Sequence, residues 1–538
     1  MRRKVLLCAV TGSVVLGLLA AIQTSTAEPT SAVSETEPYC ETHLGFCPDV
    51  RGYNEYEGNY VGHDEPALLF YSNRAGSGNS NTWQLRLPTE APTQPTQNAS
   101  GGTWNFQRSV TFWIGMALCD TQGYPNPGKP CPRDSDKNIK DSSDPTSPNW
   151  VGNHVGAAFL ELQFYPPGWT PFIVGTSCDA TKWCVAMTVT GVSLSLDQRN
   201  NKSCLDQIGV QWQNFAFLTR TGVPHAPPDP LNVNDSTYTS NPSTDLLMSA
   251  GDELTISVHD SAAGLVTAVR DATTGTHGSM VASAANGFAH PLFQPDASAC
   301  TEKSYSFHPM YATSSPHTRV PWAVHTYNVA FSDEIGHFEY CNHVNGAGSC
   351  TDPGGADAQK DDDDTFCLDA SISLLVSISG CLGSDFDFDG PAYQPDWAGT
   401  LSDPVEDRRL HSRSFVVTSP STGGANYTRM AFETDLPDIE FAVGCDVTTG
   451  FGCSNPPPGA AFYPLYSTTG TNNCAWREGG THMPRTTNTF GGSSAAEYGG
   501  LQATYYPQAP GFPPEFDYEN FRRVLSTNPC PNTGSLPG

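Results

Sequence analysis

The chain has 538 residues, with 27 basic side chains against 55 acidic ones and a formal charge of −28 at pH 7. So acidic a surface repels a phosphate backbone, whose binding rests on Lys and Arg, which argues against nucleic acid as a partner. Helical periodicity is scarce and Gly and Pro are abundant, at 50 and 44 residues, so composition points to a mainly β chain with long irregular connections.

Residues 1–27 join a basic start (Arg2, Arg3, Lys4) to an apolar stretch and end on the small residues Ser25 and Ala27. That is the pattern of a cleaved secretory signal. Thr11, Gly12 and Ser13 interrupt the stretch short of the ~20 apolar residues a spanning helix needs, and no later segment comes close, so no membrane span is expected in the mature chain. Of seventeen cysteines, Cys8 leaves with the signal, and the remaining even number suits full pairing in an oxidising, extracellular medium. Cys40/Cys47, Cys119/Cys131, Cys178/Cys184, Cys341/Cys350, Cys367/Cys381 and Cys445/Cys453 lie close enough for short cystine loops. Cys204, Cys300, Cys474 and Cys530 are left for longer bridges.

An N-terminal segment, 28–105, contains His63, Asp64 and Glu65 in what reads as a turn before a strand, then a Pro/Thr-rich loop at 87–102. Strands follow at 109–118, 157–164 and 183–194, β-branched or aromatic runs bounded by turn residues. In the second, Glu161 is a polar group within an apolar strand, and Tyr165 and Trp169 come just after it. Carbohydrate sites pair carboxyl groups with flat aromatics in this way. Residues 252–284 read as a three-stranded meander in which Leu254, Ile256 and Val258, and then Leu265, Thr267 and Val269, alternate with outward residues. A further strand is expected at 323–331. Antiparallel strands of this kind cover their apolar faces by stacking, so 106–350 is expected to be a two-sheet β-sandwich of jelly-roll type. Residues 351–538 read as a disulfide-rich, irregular C-terminal region with one short helix over 517–526, capped by Asp517.

Two acidic motifs lie in that last region. In SDFDFDGPAYQPD, Asp385, Asp387 and Asp389 precede Gly390, and Asp396 falls at the twelfth place. Alternate carboxylates around a sharp turn suit a structural calcium ion, although Pro391 and Pro395 argue against the helix that follows such a loop in EF-hands. KDDDD, at 360–364, is a weaker cation candidate or a solvated face.

The densest set of titratable groups is AFSDEIGHFEYCNH, at 330–343. Strand alternation puts His337, Glu339 and His343 on one face, a possible zinc set whose spacing is not that of H-E-x-x-H. Glu334-Ile335-Gly336-His337-Phe338-Glu339-Tyr340 resembles the E-I-D-x-x-E-Y signature of laminarinase-type β-glucanases, which have concanavalin-like jelly rolls. The resemblance implies Glu334 as nucleophile and Glu339 as acid/base of a retaining glycoside hydrolase. Gly336 replaces the Asp that tunes the nucleophile in that signature. Taken whole, VGHDEPALLFYS, ELQFYPPGW, DFDFDGPAYQPDW, NPPPGAAFYPLYST and NTFGGSSAAEYG resemble large exported proteins of filamentous soil bacteria, a resemblance that implies location and no activity. The resulting expectation is a secreted protein that recognises an extracellular glycan or other cell-surface polymer through Glu161, Tyr165, Trp169 and His337. The alternatives are hydrolysis by Glu334 and Glu339, or a structural or adhesive role.

Overall fold

The alternation read from the middle of the chain becomes extended strands in the computed structural model, which describes, with short gaps, residues within 67–89, 111–148, 155–192, 202–310, 319–352, 415–435, 466–478 and 500–536. The first ten strands are β1 (Ala67–Tyr71), β2 (Ser80–Arg86), β3 (Thr111–Asp120), β4 (Gly156–Tyr165), β5 (Trp183–Val192), β6 (Gln211–Phe217), β7 (Leu247–Met248), β8 (Glu253–Ser261), β9 (Gly264–Asp271) and β10 (His277–Ala282). Among the described residues the larger sheet runs Gly500–Tyr506, Glu515–Leu525, Arg429–Asp435, β1, Val329–Glu334, β3, β4, β5, β6, with β7 beside β5. The smaller runs β10, β9, β8, β2, Val416–Thr418, Ala475–Glu478, Tyr466–Thr469. The pairings are antiparallel, and the mainly β, sandwich-like expectation holds.

One face of each sheet supplies the core. Phe112, Ile114, Met116 and Leu118 of β3 and Leu160, Leu162 and Phe164 of β4 join Ile256 and Val258 of β8 and Val269 of β9 in one buried cluster. Removing each such side chain from water contributes about 1.5–3 kcal/mol. Phe112 sits in an aromatic knot: its ring stacks on Phe164 at 4.8 Å, tilts against Phe415 at 4.7 Å and approaches Trp183 at 6.0 Å. At one corner the two sheets are stitched together, Ser279 N donating to Thr219 O (2.9 Å) and Thr219 N to Ser279 O (3.2 Å). This bond pair occupies backbone groups that an edge strand would otherwise leave open.

The meander is as expected, its three strands joined where the sequence carries DSAAG and ATTGTHG. Strands from 28–105 (β1, β2) pair with strands of 106–350 on one side and with strands of 351–538 on the other, within the same two sheets. The helix expected over 517–526 is a correction. Glu515–Leu525 is a strand, paired on one side with Arg429–Asp435 and on the other with Gly500–Tyr506. Local helix propensity is a weak preference, and hydrogen bonding of the backbone along both edges of the segment overrides it.

Three bridges join cysteines within the described residues: Cys119–Cys131, Cys178–Cys184 and Cys204–Cys300. The first two are the expected short loops. The third crosses 96 residues, tying the helix Lys202–Ile208 to the segment before strand Glu302–Ser304. Cys530 is buried in the core cluster. Cys40, Cys47, Cys341, Cys367, Cys381, Cys445, Cys453 and Cys474 lie outside the described residues, and Cys350 is described only as the start of the strand Cys350–Asp352. Among the described residues no helix is long and apolar enough to cross a membrane. The signal segment 1–27 lies outside them.

The loop after β6 folds back over one end of the large sheet. His225 fastens it, with Nδ1 at 2.8 Å from Asp245 Oδ1 and Nε2 at 2.9 Å from Ser236 O. Both ring nitrogens face acceptors, so the doubly protonated ring satisfies both contacts. The bond to Asp245 raises the imidazole above its usual range, partial burial opposes this, and the carboxylate's charge adds to the rise. Asn234 caps the turn Asp235–Tyr238, which places Tyr238 against Phe215, ring centroids 4.9 Å apart.

Candidate functional site

The other face of β3–β6 departs from the usual half-buried sheet, whose second face is solvated. Register places Trp113 opposite Gln163 and Gly115 opposite Glu161. It continues with Glu161 opposite Thr188, and Thr190 opposite Gln213. Trp113, Glu161, Gln163, Thr188, Thr190 and Gln213 are polar or amphipathic residues on one surface, yet none is more than 6% exposed. Buried polar groups are normally paired, so where their hydrogen bonds go is informative.

Part of the patch is fully wired. Tyr165 OH donates to Gln163 Oε1, and Thr188 Oγ1 donates to the same oxygen at 3.2 Å. With the amide oxygen toward the two hydroxyls, the opposite end of the amide faces the carboxyl, whose ionised form only accepts. Gln163 Nε2 therefore points at Glu161 and donates to its Oε2 at 2.7 Å. Three atoms remain without a well-formed partner: Glu161 Oε1, Thr190 Oγ1 and Gln213 Oε1. Leaving such a group unpaired costs about 1–3 kcal/mol each. Burial pushes the Glu161 carboxyl up to about 7, against the Gln163 amide and the nearby Thr190 hydroxyl, which favour its charged form. A carboxyl so placed exchanges its proton near neutrality, which suits it to donate to a bound group or accept from one.

Gly115 shapes the neighbouring surface. A Cβ there would lie 2.4 Å from the Trp113 ring and 2.3 Å from Leu160 O, so the indole rests over the glycine, beside Glu161 on the adjacent strand. Gly115→Ala is expected to cost about 1–3 kcal/mol, the usual price of overpacking, read as a lowered denaturation midpoint. A change below ~0.5 kcal/mol, the range of neutral surface substitutions, contradicts the close approach.

Of the residues expected to bind ligand, Glu161 and Tyr165 are brought together, linked through Gln163. Trp169 and His337 lie outside the described residues, as do Glu339, His63, Asp64 and Glu65. Glu334 ends the strand Val329–Glu334, pairs with Thr111 and so takes a register position on the same face as Trp113 and Gly115. The calcium candidates Asp385, Asp387, Asp389 and Asp396 and the KDDDD run are outside the described residues. Among the described residues no three His, Cys, Asp or Glu are grouped to hold a metal ion. Sequence reasoning passed over Trp113, Gln163, Thr188, Thr190 and Gln213. Their trace is the alternation W-x-G, E-x-Q-x-Y, T-x-T and Q-x-Q on successive strands, with a glycine inside a strand marking close approach.

A second buried polar pair lies at the end of β3, where His290 Nδ1 is 2.6 Å from Asp120 Oδ1 and the imidazole stacks on Tyr305 at 4.2 Å. The same carboxylate oxygen accepts from Gln122 N. The pair thus fastens strand Ala289–Pro291 to the turn after β3.

No family model and no curated protein matches the chain. Among solved structures, one of SCP-B, a member of the Eqolisin family of peptidases in complex with the tripeptide Ala-Ile-His, is similar in part. It is 11% identical, covers 53% of this chain and 68% of that one, and has a TM-score of 0.15. A likeness at that level carries no argument about activity.

Proposed function

We propose that the chain is a secreted protein and that the buried polar face of β3–β6 binds an extracellular glycan. The observation that carries this reading is the clustering of Glu161, Thr190 and Gln213, polar and buried, on three neighbouring strands. Gathered on one face beside the Trp113 indole, they are the residue types that meet the hydroxyls and the apolar face of a sugar ring. A bound sugar would be largely withdrawn from water, where each bond is stronger than at the surface. Export through residues 1–27, and a structural calcium held by Asp385, Asp387, Asp389 and Asp396, belong to the same proposal.

The test is titration of the protein against a panel of oligosaccharides, with and without chelator. Thr190→Val and Gln213→Leu are expected to weaken binding at least tenfold while leaving the circular dichroism unchanged. Absence of glycan binding by the wild type, or full binding by both variants, overturns the reading. One observation favours a second reading, retaining hydrolysis by Glu334 and Glu339: Glu334 stands on the face that carries Glu161. Release of reducing sugar by the wild type, lost in Glu339→Gln with binding kept, would establish it.

A further inference from the structure

Between β6 and β7 the chain makes a strap, residues 218–246, over one end of the large sheet. Backbone bonds close its base, from Arg220 N to Thr244 O at 2.8 Å and from Leu246 N to Leu218 O at 2.9 Å. Under it, Tyr238 and Val233 of the strap pack on Phe215 and Phe217 of β6 and on Tyr165 of β4, in a buried cluster of their own. Register sets Phe215 opposite Thr188, which is itself opposite Glu161, so the strap closes the aromatic end of the face that carries Glu161.

Two side-chain contacts that need a proton keep the strap in place. His225, near its start, bridges Asp245 Oδ1 and Ser236 O. Asp245 is engaged further by Thr244 Oγ1 on the same oxygen and by Asn241 N on the other. An uncharged imidazole has one N–H, so it turns a lone pair toward either a carboxylate or a carbonyl. The second contact joins two carboxyls. Asp229 in the strap accepts from Asn232 N and Nδ2 and is hydrogen-bonded to Glu302, whose Oε2 accepts from Leu231 N at 3.3 Å. Two carboxyls share a hydrogen bond only while one of them keeps its proton. Glu302 belongs to the body of the molecule: it opens the strand Glu302–Ser304, and nearby Cys300 is bridged to Cys204.

The charged group facing His225 is Asp245, and the ring lies along Phe217 at 5.8 Å. The one facing Glu302 is Asp229. Among the described residues no Lys or Arg forms an ion pair with any of these four. The bond to Asp245 raises the imidazole, and burial, with the bond and charge of Asp229, lifts Glu302 to about 8. Each group therefore holds its proton more tightly with the strap down than with it lifted. Both contacts weaken as pH rises, that of Glu302 from the ordinary carboxylate range upward and that of His225 above the ordinary imidazole range.

We propose that the strap is an acid-closed latch, held down while His225 and Glu302 carry their protons and lifted when both are lost, which uncovers Phe215, Phe217 and Tyr165. Protonation thus selects between two arrangements of one local segment while the sheets stay folded. The latch needs nothing from the glycan reading, which can fail without touching it.

Amide hydrogen exchange of the full chain at pH 5 and pH 9, corrected for the intrinsic pH dependence of the rate, tests it. Protection at Asn232, Val233 and Thr237, whose amides bond within the strap, is expected to fall at least tenfold relative to Ile256 and Val258 of β8. A smaller relative fall in the wild type overturns the latch. Glu302→Gln offers Asp229 a donor at every pH, so its relative fall is expected to be smaller than that of the wild type. With His225→Asn added, no titrating group remains in either contact and the fall is expected to shrink below twofold. Persistence of the full fall in the double variant overturns the assignment to these two groups, and protection of Ile256 and Val258 reports in the same spectra that the sheets are folded.

Discussion

Phe112→Ala is expected to destabilise the fold by about 3–5 kcal/mol, the cost of deleting a large buried aromatic whose site cannot collapse. Phe112 is 1% exposed and its ring touches three others that come from separate parts of the chain: Phe164 on β4, Trp183 on β5 and Phe415. Truncation opens a gap between the sheets that none of these side chains can fill without shifting its own backbone. Against a net stability of about 5–15 kcal/mol, the loss is large enough to bring the denaturation midpoint down sharply in urea. Phe112→Leu keeps most of the volume and is expected to recover more than half of the loss. A change under about 1 kcal/mol for the alanine variant would be too small for a close-packed interior and would mean that the two sheets do not meet at this residue.

The second large effect is on the pH dependence of stability. Burial lifts Glu161 to about 7. Burial also lifts Glu302 to about 8, aided by the hydrogen bond and charge of neighbouring Asp229, and it raises Asp252, with Asp271 contributing. A carboxyl with a raised folded pKa binds its proton more tightly in the native state than in the unfolded chain. Its contribution is complete below the ordinary carboxylate value and is lost as pH climbs through the folded one. The fold is therefore expected to be most stable in acid and to weaken between about pH 4.5 and 8. Glu161 alone accounts for about 3 kcal/mol of that decline, given its complete burial. Glu161→Gln carries no ionisable proton, so its urea stability is expected to fall less between pH 5 and pH 8 by that amount. Parallel curves for wild type and variant would show that Glu161 titrates alike in the folded and unfolded states.

What the sequence disclosed was whatever repeats at short range. Leu254, Ile256 and Val258, alternating with polar neighbours, announce a strand with one wet face, and the structure buries those three. Cys119 and Cys131 lie close along the chain and do join. Residues 517–526 misled because their local preference is helical, while the strand they form answers to partners at 500–506 and at 429–435, the latter far away in sequence. The candidate site was half legible for the same reason. Glu161 stood out as a carboxyl in an apolar run, and Tyr165 followed it on the same strand. Thr190 and Gln213 are ordinary residues until register sets them side by side, and Trp113 becomes part of the patch only because Gly115 leaves room for its ring.

The strand β1 lies between Arg429–Asp435 and Val329–Glu334, so Ala67 finds its hydrogen-bonded neighbours at Glu433 and Ser332. During synthesis the early residues must wait, extended and unmatched, until the far portion of the polypeptide has been delivered. Contacts of such long span make folding slow and keep strand edges open to foreign pairing meanwhile. The short loop closed by Cys178 and Cys184 can form long before then, whereas the larger sheet is completed only by its last arrivals. A chain truncated before residue 429 therefore lacks one of the two neighbours of its own first strand and is expected to aggregate.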